Sequence, residues 1–215
     1  MSETDWKAIV ETITGWWTGL NEATEKGSGR HRAARARLRR AATLNDIVMV
    51  PEALSLVHEC GPDGLPDKLV NHILLLASVL AHVPVVAQQV GTFAQCAGRD
   101  DNGNLLGRDE TGGQLISHLR FKALVETLHA LHEAGSGDND AFDTALAALR
   151  RAVKHAGSAG YDRSRFINDI LHFSPATKRR WHFDYWQTFK APPATAADGK
   201  AGDTPQGNRD AATAV

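Results

Sequence analysis

Apolar positions recur along nearly the whole chain at the three- and four-residue spacings of an α-helix. Trp6, Ile9, Ile13, Trp16 or Trp17, and Leu20 form a first stripe, with Ser2 or Thr4 available as its N-cap. Gly27-Ser28-Gly29 interrupts the pattern. Pro51 opens a short helix through Leu54 and Val57, which Gly61-Pro62 stops. Pro66 stands where a first-turn proline belongs, and Leu69, Ile73, Leu76 and Leu80 then predict a central buried helix. Only the β-branched pair Val85-Val86 invites a strand, and the sequence offers it no partner.

The helical pattern resumes at Gln114 and runs to about Glu133. Phe142, Leu146, Leu149 and Val153 make another stripe, Asp162 caps a helix through Phe166, Ile170 and Leu171, and Ser174-Pro175 starts a last one. In that last helix Trp181, Tyr185 and Phe189 fall four apart. The polar, glycine-rich stretch 98–112 separates two halves, and after Lys190 the composition collapses into Ala, Pro, Gly, Thr and Asp. The expected fold is all-α. Two small helical bundles, 1–98 and 112–190, are joined by a loop at 99–111 and followed by a disordered tail, 191–215.

Composition changes this picture little. A chain of 215 residues with 42% hydrophobic and 23% charged residues fits one or two ordinary domains. Cys60 and Cys96 have no CxxC spacing and no disulfide framework, as expected in a reducing cytoplasm. The beginning MSETDWK has no secretory pattern, and Ile73 to Ala87 is too short and too interrupted, by His82 and Pro84, to span a bilayer. No membrane partner is expected.

Charge changes it more. The formal net charge is only −1, so positive charge must be segregated to act, and it is. Between Lys26 and Asp46 stand Arg30, Arg32, Arg35, Arg37, Arg39 and Arg40 with no acidic residue. The segment RHRAARARLRR favours helix, yet it lacks the acid–base pairs at i,i+4 that support a surface helix. An external anion is the simplest compensation, and phosphate suits guanidinium because its planar donors match phosphate oxygens two at a time. A second basic set comprises Arg150, Arg151 and Lys154, and Lys178, Arg179 and Arg180 in the last helix. Together these suggest an extended positive track for nucleic-acid backbone.

Other chemistry is not offered. The tryptophans fall on core stripes, which favours packing over base stacking. Glu126-x-x-His129, with His132 and Glu133, lacks the second Glu-x-x-His helix of a di-iron site. Asp100-x-Asn102-x-Asn104 has Leu105 and Thr111 where a calcium loop needs glycine and glutamate. With no nucleophile elbow, phosphate loop or dinucleotide fingerprint, no catalytic residue, metal or cofactor is expected, and a binding role is the default.

Two stretches carry a resemblance. ARLRRAATLNDIVMVPEALSLV (36–57) is similar to the N-terminal motif of the CasB family. ALRRAV (148–153) with YDRSRFINDILHFSPATKRRWHFDYW (161–186) resembles the same family further on. CasB is the small subunit of Cascade, the crRNA-guided surveillance complex of type I-E CRISPR systems in antiviral defence. The resemblance implies a non-enzymatic, all-α subunit that sits as two copies along the backbone subunits of Cascade and touches the large subunit. It implies binding to nucleic acid without sequence preference, stabilising the R-loop at its target strand and displaced strand. Arg39 and Arg40 match the family's first basic pair, Arg150 and Arg151 its Leu-Arg-Arg, and Lys178 to Arg180 the basic run of its last helix. Arg30, Arg32, Arg35 and Arg37 exceed the motif and rest on charge alone. Two rivals remain: a free-standing helical DNA-binding protein, and an assembly protein whose basic faces meet acidic protein surfaces.

Overall fold

The computed structural model describes residues 3–25, 29–84, 91–100, 114–135, 137–156 and 160–186, and every regular element among them is a helix. In chain order these are α1 (Glu3–Glu25), α2 (Gly29–Arg40), α3 (Leu44–Val48), α4 (Pro51–Cys60), α5 (Asp67–Leu80), α6 (Phe93–Ala97), α7 (His118–Glu133), α8 (Asn139–Ala156), α9 (Arg163–Leu171) and α10 (Pro175–Trp186). The all-α expectation is borne out. Val85-Val86, the stretch 101–113, Phe189 and the tail 191–215 lie outside the described residues.

Local signals explain most helix starts. Thr43 Oγ1 accepts from the Asp46 N–H while Asp46 Oδ2 accepts from the Thr43 N–H, a reciprocal box that starts α3. Pro51 is the first residue of α4, and Gly61 ends it. Asp162 Oδ1 accepts from the Arg165 N–H at 3.0 Å, and Ser174 Oγ from the Thr177 N–H at 3.2 Å, as the sequence predicts for α9 and α10. Three boundaries or faces differ. Pro66 is the N-cap of α5 rather than a first-turn residue, and α7 begins at His118, after Gln114. In α4 the buried side chains are Ala53 and Leu56, whereas Leu54, about a hundred degrees round the helix from Ala53, is exposed.

Helix α5 is the axis of the molecule. Leu69, Ile73, Leu76 and Leu80 are buried as predicted, and so is every residue from His72 to Leu80. A helix apolar on one stripe needs one neighbour; this one is enclosed by α1, α2, α3, α4, α8 and α9. Helix α1 packs on α9 and α5 on α8, so the helices on either side of the loop share one hydrophobic core. Helix α10 closes the far side against α6 and α7. The approach of α6 is close: a Cβ on Gly98 would collide with the Tyr185 carbonyl.

Of the two aromatic stripes, Trp17, Trp181 and Tyr185 lie in the core, Trp17 and Trp181 being 4% and 1% exposed. Trp181 sits among Phe93, Phe121, Phe166 and Phe173, and its Nε1–H donates to Asp169 Oδ2 at 2.7 Å.

Candidate nucleic-acid interface

Helix α2 buries only Ala34 and Leu38, so its arginines spread over the remaining circumference. Arg30 and Arg37, two turns apart, share one flank. There Arg37 Nη2 donates to both oxygens of Glu52, at 3.0 and 2.9 Å. Burial raises the Glu52 pKa, but the Arg37 hydrogen bond and the charges of Arg37 and Arg30 outweigh it and hold it below the usual range. Part of the missing acid is thus supplied from α4, beside the external anion that the sequence suggests as the simplest compensation.

The opposite flank finds another kind of anion. The last carbonyls of a helix lack intrahelical donors and together carry roughly half a negative charge. At the end of α5, Arg39 Nε donates to the Ala81 carbonyl at 2.7 Å. Arg35 reaches the Ala81 and Val83 carbonyls at 3.0 and 3.3 Å, and Trp17 Nε1–H reaches Leu80 at 3.1 Å. Arg163, buried and lying 4.3 Å over the Trp17 ring, adds the Pro84 carbonyl at 3.4 Å. Arg35 and Arg39 are therefore engaged with backbone. Arg32 and Arg40 are exposed on the outward face.

The second basic cluster meets the first. Arg150 Nη2 donates to the Leu38 carbonyl at 2.7 Å and to Ser78 Oγ, which itself donates to the Leu38 carbonyl at 3.0 Å. One guanidinium from α8 thereby fastens the end of α2 to α5. Lys154, one turn on, is exposed. His82, just past α5, marks the convergence. Burial, then the charges of Arg150, Lys154, Arg39 and Arg35, push its pKa down to about 4. The unfolded chain, with His82 near 6.5, binds more protons than the folded one between those two values. This contribution to stability is complete above about pH 6.5 and falls as pH drops towards 4. Burial lowers His72, His132 and His172 in the same sense. Thermal midpoints are expected to be lower at pH 5 than at pH 7, with His82→Asn narrowing the gap; equal midpoints at the two pH values would contradict this account.

The third cluster is split. Lys178 Nζ pairs with Glu126 at 2.6 Å, and Arg180 pairs with the buried Asp169 that also accepts from Trp181. Arg179 is exposed. Helix α10 packs on α6 and α7, whereas α2 packs on α1 and α5. The geometry thus brings together the clusters on α2 and α8 and commits most of the α10 cluster to internal pairs.

The profile of the family described as CRISPR-associated protein Cse2 matches residues 34–186, from the middle of α2 to the end of α10. The chain belongs to the Cse2 family. The CasB resemblance of residues 36–57, 148–153 and 161–186 is borne out, since Cse2 is the CasB small subunit of type I-E Cascade. Membership makes this chain a CRISPR-associated Cascade subunit of a non-catalytic family. No curated protein and no solved structure matches it. Among the described residues no helix is long and apolar enough to cross a membrane, and no group of His, Cys, Asp or Glu is arranged to hold a metal.

In this Cse2-family chain the sequence reading missed two features. Helices α7 and α8 enclose a groove of about 350 Å³ whose rim includes Arg120 and His155 beside Arg151. A cavity of about 470 Å³ lies at the start of α5, lined by Trp6, Lys68, His72, His132 and His172. His72, three residues after Leu69 and four before Leu76, is 5% exposed. Helical spacing could have found the groove, because Arg120, Leu124 and Thr127 share one face of α7, as Thr144, Ala148, Arg151 and His155 do of α8.

Proposed function

We propose that the chain grips nucleic-acid backbone without reading sequence, along the joined faces of α2 and α8, and so stabilises the R-loop of a type I-E Cascade at its target and displaced strands. One observation carries the reading. Arg32 and Arg40 stand exposed on a helix that Arg150 fastens to α8, where Arg151 and Lys154 are exposed in turn. The basic side chains divide into two roles: Arg35, Arg39 and Arg150 hold the platform, and Arg32, Arg40, Arg151 and Lys154 meet phosphates. Arg30, Arg37, Lys178 and Arg180 have acidic neighbours and contribute less, while Arg179 extends the track on α10.

R-loop formation exchanges duplexes of nearly equal stability, so modest backbone contacts tip it. Contacts that are weak in isolation suffice when the complex holds the strand nearby at high effective concentration. Val48, Met49 and Leu54, all exposed, supply an apolar patch for the protein contacts such a subunit needs, whether with backbone subunits, the large subunit or a second copy.

The test is fluorescence anisotropy with labelled single-stranded and duplex DNA across salt. About five phosphate contacts to a single strand, from Arg32, Arg40, Arg151, Lys154 and Arg179, give a log–log slope near −3.5, at ~0.7 per phosphate, and a loss of about two decades between 50 and 200 mM salt. Arg32→Glu with Arg40→Glu is expected to flatten the slope by roughly 1.4 while leaving the fold intact. Absence of binding at low salt would move the basic faces to an acidic protein partner, and a defined duplex footprint would favour a free-standing DNA-binding protein.

A further inference from the structure

Helix α8 presents two cationic edges. Arg150 and Lys154 face the end of α5, whereas Arg151 and His155 border the groove against α7. Arg120 stands on the facing wall, and Leu124, Ala148 and Ala152 make the floor between them. Among the described residues no acidic side chain lines the groove. Arg151 Nε donates to the Ala147 carbonyl one turn back at 3.2 Å, which lays its side chain along its own helix. A cationic rim over an apolar floor suits a ligand that is charged at one end and flat and poorly hydrated at the other. The volume, about 350 Å³, lies at the small end of ligand clefts, which run from ~300 to 1,000 Å³.

We propose that this groove is a subsite for one unstacked nucleotide of a single strand. Its phosphate lies between Arg120 and Arg151, and its base lies against Leu124, Ala148 and Ala152. The inference rests on the nucleic-acid reading above and adds a preference to it. Phosphate contacts along α2 and α8 give no preference for single strand, because a duplex presents the same phosphodiester groups at a higher charge density. Insertion of a base demands that it leave its stack, which a single strand does at little cost and a duplex does not. Strand selectivity therefore arises in the groove between α7 and α8, and general affinity along α2 and the Lys154 edge of α8.

Two variants test it by anisotropy in low salt, against a single-stranded oligonucleotide and its duplex. Ala148→Phe fills the floor, and Arg120→Gln removes an exposed cation without touching the core. Each is expected to weaken single-strand binding about tenfold while changing duplex binding far less. Should Ala148→Phe fail to fold, shown by loss of its cooperative melt, Arg120→Gln decides alone. Equal losses on single strand and duplex, or wild-type binding to both, overturn the subsite and leave the backbone reading standing. If the unmodified chain binds neither probe, the backbone reading itself fails and the subsite falls with it.

Discussion

Replacing Arg150 by alanine is expected to lower folding stability by about 2–3 kcal/mol, a large effect for a side chain that the sequence alone places on a basic surface patch. The guanidinium donates to the Leu38 carbonyl and to Ser78 Oγ, and Ser78 is fully buried. Hydrogen bonds from a charged donor in such a setting contribute more than neutral ones, and α2 has only two buried side chains to fall back on. Lysine will not rescue the loss, because a single ammonium on a flexible stem cannot reproduce the fork. Arg40→Ala is the control, expected to stay within about 0.5 kcal/mol. Urea titration of the variants settles the matter: coincident midpoints for Arg150→Ala and Arg40→Ala would show that the α8–α2 connection carries no weight.

Trp181→Ala is expected to cost more, about 3–5 kcal/mol, the range for truncating a buried aromatic. The ring packs against four phenylalanines drawn from α6, α7, α9 and the turn before α10. Its loss also removes the donor at 2.7 Å from Asp169, which is 3% exposed. Trp181→Phe separates the two contributions, since it keeps much of the apolar volume and loses the N–H. If packing dominates, the phenylalanine variant recovers most of the stability in denaturant melts. If it melts with the alanine variant, the bond to Asp169 is the larger part.

The all-helical architecture was legible because its cause is local. Leu69, Ile73, Leu76 and Leu80 repeat at the helix period, and Asp162 and Ser174 sit at helix starts, so pattern and caps alone located α5, α9 and α10. The arginine segment was legible as a helix but not as a set of partners. Counting acids near Arg35 and Arg39 finds none, because what faces them is the carbonyl end of α5, an anionic site that no acidic letter marks. The Arg150 bond to Leu38 spans 112 residues and the Arg37 pair with Glu52 spans 15, and neither has a spacing rule. Arg120 and His155 were passed over because no spacing rule links α7 to α8, and only the packing of α7 on α8 places them across one groove.

Helix α1 gives the family match a practical meaning. The matched range begins at residue 34, yet Ile9, Ile13, Trp17 and Leu20 are 0–4% exposed in the shared core, and Trp17 both caps α5 and lies beneath Arg163. Residues 34–186 are therefore a unit of kinship and not a unit of folding. Cut at that border, the chain would bare the faces of α4, α5 and α9 that α1 covers, the kind of broad apolar surface that drives polypeptides to aggregate.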